Sequence, residues 1–223
     1  MVELAIYDMD RTITRSGTYT PWLIFWAWRR APWRLLLLPL AGIAMLAYVL
    51  GLVTRKRLKE INQTLLMGGR VDPARVARTA EAYAEQVMRG GVYPDALAQI
   101  SADKAAGRRV ILATASYAFY VEPLSRRFGI NEVIATRSKV DDRGRILARI
   151  DADNCYGAGK MEMVETYLAA AGIDRSQAHV RFYSDHFSDK PVFDWSDEPI
   201  AVNASAALRA HARQHGWTMI DWH

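Results

Sequence analysis

Residues 3–12, ELAIYDMDRT, decide the fold. From Glu3 to Asp8 the stretch is short, apolar and rich in branched and aromatic side chains, the composition of a strand buried on both faces in a parallel sheet. It ends on two aspartates, Asp8 and Asp10, with Thr12 two positions further on. Carboxylates at i and i+2 just past the carboxyl end of a parallel strand can both be directed into the crevice where open α/β sheets bind ligands. That spacing suits a metal-assisted nucleophile beside a proton donor. Ordinary loop aspartates that cap a helix have the same appearance, and the pair alone leaves both readings open.

Working outward, further strands are expected at 109–114 (RVILAT), 133–136, 180–184 (VRFYS) and 200–202, with helical apolar spacing at about 93–106, 117–128, 159–172 and 205–215. Strand and helix in alternation predict an α/β fold, a doubly wound, Rossmann-like parallel sheet with helices on both faces. Around 138–151 an Asp-Asp-Arg-Gly turn between extended halves predicts a hairpin. Residues 15–92 break the rhythm, with no convincing strand and two or three long helical patterns. The economical division is a catalytic core of 1–14 and 93–223, with 15–92 as a helical cap inserted after the first strand.

The chain has 223 residues, 51% of them hydrophobic and 24% charged, and a mean hydropathy of −0.09. These values exclude a disordered chain, a collagen-like repeat and a bundle of membrane spans. The single cysteine, Cys155, forms no internal disulfide. The opening residues look like a strand and not like a basic stretch before an apolar segment, so the catalytic part is expected in a reducing cytoplasm.

The net charge of +5 is unevenly placed. Residues 15–92 hold 12 basic and 4 acidic side chains, leaving the remainder slightly acidic. The same segment contains the most apolar run of the protein, Leu35 to Val53, 19 residues without a charge. Arg29, Arg30 and Arg34 precede it, Arg55, Lys56, Arg57 and Lys59 follow it, and Trp22, Trp26, Trp28 and Trp33 lie just upstream. Tryptophan and basic residues around an apolar run are the signature of a membrane boundary.

More candidate chemistry stands at the other strand ends. The second strand closes on ATAS, placing Thr114 and Ser116 at the expected start of a helix, where hydroxyls and free N–H groups favour a phosphate. Lys160 opens a helix after YGAG, and the fourth strand closes on YSDHFSDKP, supplying Asp185 and Asp189. Singly, each reads equally as a cap, a turn or a solvated lysine. Four such elements in order, at successive strand ends, are much harder to read that way.

Together they resemble the haloacid dehalogenase (HAD) superfamily of phosphohydrolases: DxDxT, a strand ending in Thr or Ser, a lysine, and a strand ending in an acidic pair. TASYAFYVEPL and PIAVNASAALRAHARQHGWTMIDW are similar to the subclass containing phosphoserine phosphatase, whose helical cap follows the first motif. The tryptophan-rich, basic, then apolar cap looks most like that of phosphatidylglycerophosphatase C. One departure is Arg11, where the family usually has glycine.

The resemblance implies a phosphomonoester hydrolase in which Asp8 attacks phosphorus to give an aspartyl-phosphate. Asp10 would protonate the leaving oxygen and then activate water. Mg2+ would sit on Asp8, the Asp10 carbonyl and Asp185, with Asp189 behind it or reaching it through water. Thr114 and Lys160 would bind the phosphoryl oxygens, Thr12 would orient the loop, and Ser116 would support the site.

The substrate expected on the cap's character is a membrane lipid phosphate such as phosphatidylglycerophosphate. The alternatives are a soluble small metabolite such as phosphoserine, or a non-catalytic membrane-surface protein. As a helix the 19-residue run would be about 28 Å long, enough to cross a bilayer. One crossing would put Asp8 and Thr114 on opposite sides, so the expected arrangement is a re-entrant or interfacial hairpin with Pro21–Trp28 and Leu35–Val53 as arms. An anionic membrane surface, and no nucleic acid, is then the expected partner, and the cytoplasmic face of the inner membrane the expected location. The competing reading buries the run inside the cap or against a second copy.

Overall fold

The computed structural model describes residues 1–152 and 154–223. Its centre is β1 (Val2–Tyr7), flanked by β3 (Arg109–Tyr117) and β6 (Ala178–Ser184), both parallel to it. Beyond β6 come β7 (Glu198–Val202) and β8 (Thr218–Ile220), and beyond β3 comes β4 (Glu132–Val140), all parallel. The antiparallel β5 (Ile146–Asp151) and β2 (Arg70–Val71) complete the order β2-β5-β4-β3-β1-β6-β7-β8. This is the expected doubly wound sheet, and the turn at Asp141–Gly144 makes the expected β4–β5 hairpin.

Strand β1 shows why the opening stretch is decisive. Leu4, Ala5, Ile6 and Tyr7 are all completely buried, and the alternation of a pleated strand sends them to opposite faces. Leu4 and Ile6 join Ile111, Val180 and Phe182 in one core. Ala5 and Tyr7 join the other, which continues without a break into the segment after β1.

That segment holds α1 (Tyr19–Arg30), a 3-10 turn (Pro32–Leu37), α2 (Leu38–Val49), α3 (Arg55–Leu66) and α4 (Pro73–Met88). Two side-chain caps start the later helices: Thr54 accepts from the Arg57 N–H, and Asp72 accepts from the N–H groups of Ala74 and Arg75. The expectation that 15–92 contains no strand is corrected by β2, two residues that pair with β5 and tie the insertion to the edge of the sheet. The core helices are α5 (Pro94–Ala105), α6 (Ala118–Arg127), α7 (Ala158–Ala170), the short α8 (Lys190–Trp195) and α9 (Ala206–His215). Neither α8 nor β8 was expected from periodicity, because each is too short to show a repeat.

The first arm of the expected membrane hairpin is corrected. Trp22, Leu23, Trp26 and Ala27 of α1 are buried, with Trp22 stacked on Tyr120 of α6 at 5.2 Å between ring centroids and edge-on to Tyr83 of α4. Packing against core and cap aromatics, and not a lipid boundary, accounts for those two tryptophans. Glu81 of α4 further pins the insertion to α6 through Arg126 at 2.6 Å and Arg127 at 2.7 Å.

The second arm behaves differently. Pro32–Val49 is a continuous helical stretch of 18 residues with a mean hydropathy of 1.6, long and apolar enough to cross a bilayer. It packs along α3 through small side chains, with Ala44 buried and Ala41 and Ala47 half-buried. The bulky residues Leu36, Leu40, Ile43, Leu46, Val49 and Leu50 point to solvent, continuous in sequence with exposed Trp28 and Trp33 upstream and Leu52 downstream. The reading of this run as buried cap core is therefore overturned. An exposed apolar surface of this extent on a globular chain marks a surface made to meet something apolar.

Candidate active site

The carboxyl ends of β1, β3 and β6 open into a cleft of about 410 Å³ roofed by the insertion. Asp8, Asp10, Thr114, Ser116, Lys160, Asp185 and Asp189 all line it. Thr12 is completely buried beneath, its hydroxyl at 3.5 Å from Asp8 Oδ2, the long limit of a hydrogen bond.

Asp8 continues the β1 ladder, its N–H donating to the Tyr183 carbonyl at 2.9 Å, so its side chain is placed by the sheet and not by a free loop. Lys160 Nζ donates to Asp8 Oδ1 at 2.8 Å and to Asp189 Oδ2 at 2.6 Å, and Ser184 Oγ donates to the same Asp189 oxygen at 2.7 Å. Lys160 reaches this point from the first turn of α7, preceded by Gly157 at the N-cap with φ +58° and ψ −129°, a conformation open essentially only to glycine. Asp189 thus holds the lysine directly.

Asp10 is gripped by three donors. The Thr18 N–H and hydroxyl donate to Oδ1 at 2.8 and 2.7 Å, and the Ser116 hydroxyl donates to Oδ2 at 2.9 Å. Ser116 therefore serves Asp10. The expectation that Thr114 and Ser116 open a helix is corrected: β3 runs on to Tyr117, with a register shift between Thr114 and Tyr117, and α6 starts only at Ala118. A bulge of this kind re-aims side chains, turning both hydroxyls into the cleft. Arg11 has φ +62°, the left-handed region that favours glycine, which fits the glycine usual there; its charge acts on Asp185.

The electrostatics are those of an under-neutralised acidic cluster. Burial pushes the Asp8 carboxyl up to about 8; Lys160 opposes this, and Asp189 and Asp185 add to it. Burial and then Asp189 push Asp185 up to about 6, against Lys160 and Arg11. Burial pulls Lys160 down, but Asp189 and Asp8 outweigh it and hold the ammonium charged, above the usual lysine value. Lys160, with the more weakly acting Arg11, leaves Asp8 and Asp185 raised, and a divalent cation would complete the balance. Among the described residues no three His, Cys, Asp or Glu side chains cage an ion by themselves. Mg2+ keeps several waters and binds through one or two carboxylates, and Asp8 and Asp185 line one cleft. The residues present fit it, with Asp8, Asp185 and the Asp10 main-chain carbonyl as the groups that would hold the ion.

Lys59 is the cleft residue that sequence reading misplaced. Grouped with the basic flank of the apolar run, it is in fact buried, donating to the Ala115 carbonyl at 2.6 Å and to Asn154 Oδ1 at 2.8 Å. Its ammonium lies 4.5 Å from the centre of the Tyr117 ring. Only the spacing of Arg55, Lys59 and Asn62, one stripe of a helix, hinted that these residues face inward. Cys155 is a fully buried thiol, pushed up to about 12 by burial, and has no part in the cleft wall.

A doubly wound sheet with acidic residues and a lysine gathered at its carboxyl ends under a helical insertion is the arrangement of a class of hydrolase. Residues 5–194 match the haloacid dehalogenase-like hydrolase family, and the chain belongs to that family. A crystal structure of a protein of unknown function from Bordetella pertussis Tohama I superposes over 99% of both chains with a TM-score of 0.90 and 30% identity. A phospho-aspartyl intermediate analogue of phosphoserine phosphatase shares the fold, covering 99% of this chain and 93% of that one, with a TM-score of 0.63 and 15% identity. A histidinol-phosphatase from Neisseria meningitidis serogroup C is 27% identical over 55% of this chain and 56% of its own. The chain spans about half the length of other curated relatives it matches.

Proposed function

We propose that this protein is a phosphomonoesterase that works through an aspartyl-phosphate on Asp8, and that its substrate is a lipid phosphate monoester met at an anionic membrane surface on the cytoplasmic side. The chemical half of the reading is carried by Asp8 and Asp10 standing in one cleft with Lys160, Thr114 and Asp185. An oxygen of Asp8 bonds to phosphorus as the ester P–O bond breaks, and Asp10 gives its proton to the departing oxygen. Asp10, now a carboxylate, takes a proton from water; the water oxygen bonds to phosphorus, releasing phosphate and restoring Asp8. The Ser116 hydroxyl suits both stages, since it donates to a carboxylate oxygen and can rotate to accept from a carboxyl. Lys160 and Thr114 lie where the phosphoryl oxygens gather charge. Mg2+, when bound, would add charge neutralisation to that group.

The lipid half is carried by one observation: the bulky face of α2 is exposed, and the same helix lends Met45 and Tyr48 to the cleft wall. A surface lying in the headgroup region would thus border the opening through which a headgroup enters. Arg29, Arg75 and Arg78, gathered around Arg30 at the end of α1 and start of α4, would face anionic lipids. The second reading, a small soluble monoester, is favoured by the kinship with a histidinol-phosphatase and by aromatic residues Tyr19 and Tyr156 in the cleft wall. Phosphate release from a panel of long-chain lipid phosphates in vesicles, phosphoserine, histidinol phosphate and glycerol phosphate tests both halves. Release from the lipid members with vesicle-dependent activation supports the first reading. Release confined to one soluble member replaces it with the second.

A further inference from the structure

Between Thr114 and Tyr117 the sheet loses its regular pairing. Thr114 pairs with Ala135 and Tyr117 with Thr136, so Ala115 and Ser116 have no counterparts on β4. The ladder therefore leaves the Ala115 carbonyl to other donors, and two side chains reach it. Lys59 Nζ, arriving from α3 of the insertion, donates at 2.6 Å, and the Thr136 hydroxyl lies at 2.8 Å. The same two groups meet Asn154 Oδ1, at 2.8 and 2.9 Å. A hydroxyl carries one hydrogen and can serve only one of these oxygens, so the other depends on Lys59. Lys59 is only 7% exposed, and both its acceptors are uncharged. Burial, and then the charge of Arg55, pull it down to about 7. A neutral amine keeps two N–H bonds, one for each acceptor, so the contact uses the lysine as a donor and does not need its charge.

The residue after Ala115 is Ser116, whose N–H donates to Thr114 Oγ1 at 3.1 Å and whose hydroxyl donates to Asp10 Oδ2 at 2.9 Å. Thr18 serves the other oxygen of Asp10. The Ala115 carbonyl and the Ser116 N–H belong to one planar peptide unit, so a donor fixed on the carbonyl also fixes the entry into Ser116. We infer that Lys59 is a positioning residue: by holding the Ala115–Ser116 peptide from the insertion, it keeps the Ser116 hydroxyl on Asp10. The hold itself stands apart from the phosphomonoesterase reading, and its consequence for proton transfer rests on that reading. Loss of Lys59 frees the peptide to turn, withdraws Ser116 from Asp10 and slows the step in which Asp10 gives up its proton. Esters whose leaving group hardly needs a proton escape the loss.

The test uses the full chain with Lys59→Met, Ser116→Ala and both together. It compares p-nitrophenyl phosphate with the alkyl ester of the panel above that the parent hydrolyses fastest. Lys59→Met should slow the alkyl ester about tenfold more than p-nitrophenyl phosphate, in kcat more than in KM, the scale of one hydrogen bond to a charged group. Ser116→Ala should show the same split, and adding Lys59→Met to it should cost little further. Propylamine should restore part of the alkyl-ester rate to Lys59→Ala by returning the donor that was removed. The Ser116 amide resonance, read in a proton–nitrogen correlation spectrum without substrate, should move in Lys59→Met. Lys59→Gln, whose side chain is too short to reach the Ala115 carbonyl, replaces Lys59→Met should that variant fail to fold. Equal losses for both esters, fully additive losses with Ser116→Ala, or an unmoved Ser116 resonance would overturn the role of Lys59. A parent that hydrolyses no ester, with the Ser116 resonance still moved by Lys59→Met, would retain the hold on Ser116 and discard the phosphatase reading.

Discussion

Replacing Leu36, Leu40 and Leu46 by glutamine separates membrane docking from folding, because the structure gives the two effects very different sizes. The three side chains are 82%, 49% and 58% exposed, so together they hold just under two leucines' worth of surface in contact with water. Moving that surface into an apolar phase would contribute about 3 to 6 kcal/mol, at 1.5 to 3 kcal/mol for each leucine. Loss of even the lower figure weakens partitioning about a hundredfold. Folding is hardly touched, since glutamine matches leucine closely in helix propensity and the packed face of α2 is made of Ala41, Ala44 and Ala47. Sedimentation with anionic vesicles reads the partitioning, and thermal unfolding reads the fold. The parent should bind vesicles, with an electrostatic part that salt screens and an apolar part that persists. The variant should stay in the supernatant, melt within a few degrees of the parent, and keep its activity on a water-soluble monoester. Equal vesicle binding by the two proteins, or a parent that ignores vesicles altogether, would show that α2 does not dock on membranes; a second copy of the chain would then be the candidate cover for α2, visible in the sedimentation coefficient.

Other outcomes follow from the cleft. Asp10→Asn should slow alkyl phosphates at least a hundredfold more than p-nitrophenyl phosphate, whose leaving group hardly needs a proton; equal losses would give Asp10 a purely structural role. Asp185, with its folded value raised from 3.8 to about 6, favours the protonated form, so its stabilising effect is complete below 3.8 and lost as pH rises through about 6. In metal-free buffer Asp185→Asn should therefore gain stability relative to the parent between acid and neutral pH, by up to about 3 kcal/mol, as read by denaturant unfolding at the two pH values. Adding Mg2+ should stabilise the parent more than this variant, and chelation should abolish parent turnover reversibly. Lys160→Met should leave Asp8 and Asp189 without their cation and lower both stability and turnover at neutral pH; a variant as stable as the parent would contradict the charge balance drawn for the site.

How much of this was legible in the sequence depended on whether a residue's role follows from its position on an element. Asp8, Asp10, Asp185 and Lys160 were visible because each sits at a strand end or helix start that hydrophobic periodicity locates. The irregularity at Thr114–Tyr117 was not visible, since a two-residue register change leaves no compositional trace. Composition also misled in the insertion. Trp22 and Trp26 of α1 pack a core while Trp28 and Trp33 are exposed, yet all four stand in one aromatic and basic stretch. Along α2 every residue is apolar or small, so no amphipathic period announces which face is covered; the answer came from alanines recurring every third position against α3. Lys59 was hidden in a run of basic residues that otherwise face water. The Lys160–Asp189 contact joins residues 29 apart and belongs to the tertiary fold alone.

The most direct test of the account is to locate the phosphoryl group during turnover. The protein is mixed with a hydrolysed monoester and Mg2+, quenched in acid, which preserves an acyl phosphate, and digested for peptide mass spectrometry. One phosphoryl group is expected on the amino-terminal peptide, at Asp8, labile to hydroxylamine and absent from Asp8→Asn, which should also show no turnover. A phosphoryl group on any other residue, or sustained turnover by Asp8→Asn protein of confirmed sequence, would contradict it.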